Sequence, residues 1–88
     1  PAKPYTRIGC FHDDGQETGV RSVSDYAGNI APWNYDQCYN LAKNQGKKYF
    51  ARQAGNQCFV GNSYGSKPSR DCNYLGGGGG WANEVYSV

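Results

Sequence analysis

Four thiols, one imidazole and one acidic run are the side chains of this chain best suited to covalent or metal chemistry. Cys10, Cys38, Cys58 and Cys72 make an even set in 88 residues. Zinc would ask for closely paired ligands such as C-x-x-C, or for several histidines, whereas these cysteines are scattered and His12 stands alone. Their count and spacing therefore predict two disulfides and an oxidising, extracellular setting. A bridged sulfur is no nucleophile. His12 has no partner that the sequence can identify for a catalytic set, so no enzymatic activity is expected. Asp13-Asp14-Gly15-Gln16-Glu17 could offer carboxylates to calcium, but the spacing does not match an EF-hand loop, and a solvated turn is expected there. Neither a metal nor another cofactor is expected.

The rest of the chain has to position those residues with little aliphatic material. Ile, Leu and Val together number nine and Met is absent, while eight Tyr, three Phe and two Trp supply aromatic bulk. A chain of this length makes one small domain, residues 1–88, of a size that often needs covalent support. The net charge of +2 is small and dispersed, so the basic footprint of a nucleic-acid binder is missing. No apolar run approaches the ~20 residues of a membrane span. The opening Pro1-Ala2-Lys3-Pro4, without Met, reads like a processed secretory product, though a cut segment would start the same way. No Asn-x-Ser/Thr sequon occurs, and N-glycosylation is not expected.

The clearest element is a helix over residues 35–45. Asn34 suits its N-cap, with Gln37 three residues later as in a capping box, and Gly46 suits the position after its end. Tyr35, Cys38, Leu41, Ala42 and Gln45 share one helical face. Alternation predicts a strand from Tyr5 to Phe11, with Ile8 and Cys10 inward. Residues 48–53 and 57–60 read as a hairpin about Ala54-Gly55-Asn56, with Cys58 and Val60 on one face. Residues 19–32 read as loop with a short extended piece around Val20–Val23, residues 61–80 as turns, and residues 82–88 as a last strand. The expected fold is α+β: one helix packed on a small antiparallel sheet. The helix face bearing Cys38 would meet the hairpin face bearing Cys58, which favours Cys38–Cys58 and leaves Cys10–Cys72. On the loop-entropy model such bridges contribute at most about 3 and about 4 kcal/mol.

These segments, in this order, resemble a WSC domain, a secreted cysteine-rich module akin to the PAN/apple fold. The resemblance is carried by Tyr5-Thr6-Arg7-Ile8-Gly9-Cys10-Phe11 and by the helical Cys38. It continues through Lys48-Tyr49-Phe50-Ala51 and Gln57-Cys58-Phe59-Val60-Gly61-Asn62, then Cys72-Asn73 and Trp81-Ala82-Asn83-Glu84-Val85-Tyr86 after a glycine-rich run. Typical WSC domains have eight cysteines. Here Ala42 and Val60 stand where one further pair would be, and Gly76 with a neighbouring glycine replaces the last two. The resemblance implies that whole bridges are lost and that Cys38–Cys58 and Cys10–Cys72 remain, the same pairing as the packing argument.

The resemblance further implies a secreted, non-enzymatic carbohydrate-binding module for an extracellular or cell-wall polysaccharide. Sugar rings have apolar C–H faces that stack on aromatics and hydroxyls that pair with amides and carboxylates. Trp33, Tyr64, Tyr74 and Trp81, with Asn62, Asp71 and Asn73 nearby in sequence, are the candidate carbohydrate-binding residues. Tyr35, Tyr49, Phe50, Phe59 and Tyr86 are expected in the core. Gly76–Gly80 is no phosphate loop, having no following Lys-Ser/Thr. A flexible or closely packed turn presenting Trp81 is expected instead. The alternative is a structural extracellular protein, a matrix, adhesive or filament subunit, acting through self-association or contacts with another extracellular protein.

Overall fold

The computed structural model describes residues 3–88; Pro1 and Ala2, which open the segment read as a processed start, lie outside them. Among the described residues five strands form one antiparallel sheet: β1 (Thr6–His12), β2 (Asp25–Asn29), β3 (Tyr49–Gln53), β4 (Gln57–Gly61) and β5 (Ala82–Ser87). Their spatial order is β1-β5-β3-β4-β2. Two helices accompany them, the single turn α1 (Gly15–Thr18) and α2 (Tyr35–Asn44).

Helix α2 forms where its caps predict. The Asn34 side chain accepts from the Gln37 backbone N–H at 3.1 Å, and its amide donates back to Gln37 Oε1 at 3.2 Å. At the other end Gly46 takes φ 69°, and the Lys47 N–H reaches Ala42 O at 2.9 Å, closing the last turn. The helix buries Cys38 and Ala42 against Phe50, Cys58 and Val60, while Tyr35 and Leu41 pack at the margin. Gln45, expected on this face, is exposed because it lies beyond the last helical residue.

Both expected disulfides are present, with Cα atoms 6.0 Å apart in Cys10–Cys72 and 5.7 Å apart in Cys38–Cys58. Ala42 and Val60, where the resemblance implies a lost bridge, are fully buried in the cluster that holds Cys38–Cys58. On the other face of the sheet Ala51, Phe59 and Val85 pack against Val23, with Phe11, Tyr49 and Tyr64 at the edge. The expected aromatic core is therefore observed: Phe50 and Phe59 are buried, and Tyr35, Tyr49 and Tyr86 are half-buried against them.

Three sequence expectations are corrected. Ile8 does not share an inner face with Cys10. The β1–β5 register shifts between Arg7 and Gly9, and this bulge leaves Ile8 38% exposed. The extended piece expected at Val20–Val23 is not a strand. The strand lies later, at β2, where Asp25, Gly28 and Asn29 are poor strand formers; pairing with β4 from one side imposes it. Residues 15–18, read as turn, close one helical turn capped by Gly19.

The glycine run is a packed element. Gly76–Gly79 are buried and lie across the end of β3. A Cβ on Gly78 would fall 2.1 Å from Arg52 O, and one on Gly79 would fall 1.6 Å from Asp71 O. Only hydrogen fits at both places. Arg52, itself fully buried, donates to Ile30 O at 3.0 Å and Ala31 O at 3.1 Å, tying β3 to the segment before α2. Burial holds its pKa below the ordinary arginine value. Glu84 completes this side. It accepts from Arg7, Tyr35, Tyr86 and the Gly78 N–H, so one carboxylate joins β1, α2, β5 and the glycine loop.

Candidate functional site

Two adjoining hollows open on the sheet face opposite α2. The first, about 320 Å³, is lined by Arg21, Ser24, Tyr26, Gln57 and Phe59. The second, about 180 Å³, is lined by Arg21, Gln53, Ala54, Gln57, Gly80 and Trp81. Arg21 and Gln57 belong to both, so the hollows form one bent groove.

Each wall has a local cause. Gln53 and Gln57 are register partners across the β3–β4 hairpin and point the same way, as Phe59 does two residues on. Tyr26 pairs with Phe59 across β2–β4, its ring 5.3 Å from the Phe59 ring. The Tyr26 hydroxyl donates to Asn29 Oδ1. Ala54 and Trp81 both adopt left-handed backbone, φ 53° and 52°, and both line the second hollow. Such strain in non-glycine residues costs of order 1 kcal/mol or more each and is held by the surrounding structure. Backbone hydrogen bonds tie both places down: the Ala54 N–H donates to Gly79 O at 3.0 Å, and Trp81 O accepts from the Asp13 N–H at 2.8 Å.

Arg21 is the hinge of the groove. Its guanidinium carbon lies 4.6 Å from the Trp81 ring centre and 5.1 Å from that of Phe59. Asp13, 1% exposed, accepts from Arg21 at 2.9 Å and from the backbone N–H groups of Gly15 and Ser22. Burial by itself would raise the Asp13 pKa; the Arg21 guanidinium and the two N–H groups outweigh it and hold the carboxyl below its ordinary value. Gln53 forms part of the floor of the second hollow: it is 3% accessible, and its Oε1 is closed off from solvent without a hydrogen-bond partner.

The residues singled out in the sequence are dispersed. Trp81 lines the groove. Tyr74 is 52% exposed, and its hydroxyl would lie 3.3 Å from a Cβ on Gly80, so it borders the second hollow. Trp33 is 63% exposed and outside both hollows, its N–H donating to Gly76 O. Tyr64 packs between Phe11 and Tyr49, its ring 4.9 and 4.8 Å from theirs. Asn62 accepts from the Lys48 N–H. Asp71 and Asn73 are exposed on the loop carrying Cys72, and the Asn73 N–H turns back to Asp71 O. Arg21, Ser24, Tyr26, Gln53 and Gln57 were not singled out. Arg21, Ser24 and Tyr26 come from residues read as loop, and only the fold sets them against the hairpin.

The acidic turn is occupied by protein contacts. His12, Asp14 and Glu17 bring one ligand atom each within 4.8 Å of one another, a set suited to a transition metal more than to calcium. His12 and Glu17 already meet at 2.7 Å, and the Lys67 ammonium stands 3.6 Å from Asp14. No site is assigned there.

A small α+β domain with two disulfides, mostly sheet, with a shallow polar–aromatic groove is the class this structure defines, one typical of extracellular or cell-surface proteins. The family model of the WSC domain matches residues 7–80, and the chain belongs to that family, in a form with four cysteines. No curated protein matches the chain. No helix among the described residues is long and apolar enough to cross a membrane.

Proposed function

We propose that this WSC domain is a secreted, non-enzymatic module that binds an extracellular or cell-wall polysaccharide in the groove shared by Arg21 and Gln57. The observation that carries this reading is the pairing of aromatic platforms with open amide groups. Trp81 and Tyr26 offer ring faces to sugar C–H groups, and the half-buried Gln57, which lines both hollows, offers an amide to sugar hydroxyls. Membership of the WSC family supports the same ligand class. A binding role rather than catalysis is supported by the chemistry present: all four cysteines are bridged, and His12, which lines neither hollow, is paired with Glu17.

The test is a glycan array and a polysaccharide pull-down with correctly oxidised protein. Binding that is weakened by Trp81→Ala, with the fold intact, is the expected result. No binding to any glycan, together with concentration-dependent assembly in light scattering, would replace this reading with the structural-subunit alternative.

A further inference from the structure

We infer that the groove takes at least two consecutive units of a neutral sugar chain, one unit against each aromatic platform. This rests on the carbohydrate reading and narrows it to a ligand length and charge class.

Length follows from the two hollows. The second, about 180 Å³, is smaller than the ~300 Å³ at the lower end of small-molecule sites, and the first, about 320 Å³, only reaches it. They share Arg21 and Gln57 but not their aromatic rings. Tyr26, 54% exposed, belongs to one, and Trp81, 36% exposed, to the other. A single sugar ring covers one platform and leaves the other in water. A chain of two or more units covers both, with the Arg21 guanidinium between them donating to ring or hydroxyl oxygens. Gln57, which lines both hollows, is placed to contact both units.

Charge follows from Asp13. Among the described residues Arg21 is the only charged side chain lining either hollow, and the buried Asp13 carboxylate balances it at 2.9 Å. The lining therefore carries no free charge with which to hold a uronate or sulfate. Its polar atoms are amide and hydroxyl groups, which match neutral sugar hydroxyls.

The experiment is calorimetric or NMR titration of the oxidised domain with two series of one to four units. One series holds neutral oligosaccharides of glucose, xylose, mannose, galactose and N-acetylglucosamine; the other holds oligogalacturonates and sulfated oligosaccharides. Affinity for a neutral series is expected to rise roughly 3- to 10-fold from one unit to two, the scale of one added aromatic stacking contact. Tyr26→Ala should remove that gain, so that two units bind no tighter than one, and Tyr26→Phe should restore it. Tyr26 is exposed, and retained thermal stability checks that the variants fold. A monosaccharide that binds as tightly as its tetramer, or tighter binding of the acidic series, overturns this inference while leaving carbohydrate binding standing. Silence across both series overturns the carbohydrate reading itself.

Discussion

The Arg21 guanidinium lies 4.6 Å from the Trp81 ring centre while donating to Asp13 at 2.9 Å, so a buried carboxylate fixes the cation that shapes the groove. Asp13 and Arg21 flank α1, and Trp81 begins the approach to β5; the Asp13 N–H also donates to Trp81 O at 2.8 Å. The segment around α1 is thereby anchored twice to the residue that offers the larger aromatic face.

Aromatic variants should separate platform from bystander. Trp81→Ala is expected to weaken glycan binding roughly 3- to 10-fold, the scale of one lost aromatic stacking contact. Trp33→Ala should leave affinity within error, since Trp33 lines neither hollow. Titration of both variants against the same glycan checks this, and equal losses would place the site elsewhere.

Acid should loosen the groove through Asp13. Its folded pKa is depressed, so its contribution is fully present above about pH 4 and is lost as pH falls through the lower folded value. Asp13→Asn is expected to cost roughly 1–3 kcal/mol and to flatten the acid limb of the stability profile. Chemical denaturation at a series of pH values reads both effects.

Alkali should act on the opposite face. Tyr35 is pushed up to about 12, by burial first and then by donating to Glu84, and Tyr86 is raised further for the same reasons. A raised folded pKa gives stability that is present below about pH 10 and is lost as pH rises toward the folded value. Tyr5 is likewise pushed up to about 12, by burial and by donating to Asp36, so alkaline spectrophotometric titration should show three tyrosines ionising late, together with loss of structure. Tyr86→Phe should remove one of them.

The glycine run should discriminate sharply by position. Gly78→Ala or Gly79→Ala drives a methyl into backbone atoms and is expected to destabilise by about 3 kcal/mol or more. Gly46→Ala meets nothing within 4 Å and should cost only about 1 kcal/mol, from its left-handed φ. Melting temperatures of the three variants test the order.

Ala42 and Val60 should accept a further bridge. Both are fully buried beside Cys38–Cys58. The double change Ala42→Cys and Val60→Cys is expected to oxidise and to add up to ~3 kcal/mol. A thiol assay that finds both sulfurs free in the oxidised protein would show that these positions do not face each other.

Some of this protein was determined by local sequence. The Asn34–Gln37 cap, Gly46 and a single apolar face are enough for α2, because a helix is built from contacts a turn apart. The turn Ala54-Gly55-Asn56 between two short apolar-rich segments is enough for the β3–β4 hairpin, and the segment after the glycine run for β5. The facing positions of Cys38 and Cys58 are enough for one bridge, and the even count gives the other. The tertiary structure decided the rest. β2 exists because β4 offers an edge to pair with, against the preference of Asp25, Gly28 and Asn29. Ile8 faces out because a bulge shifts its register. Gly76–Gly79 are packed where Pro32, Gly55, Tyr35, Arg52 and Asp71 leave no room for a side chain. The groove belongs wholly to this second kind. Arg21, Tyr26, Gln53, Gln57 and Trp81 are separated by up to sixty positions in sequence, and no local pattern relates them. They meet because an antiparallel sheet sets distant residues side by side, and there the chain leaves Gln53 without a partner.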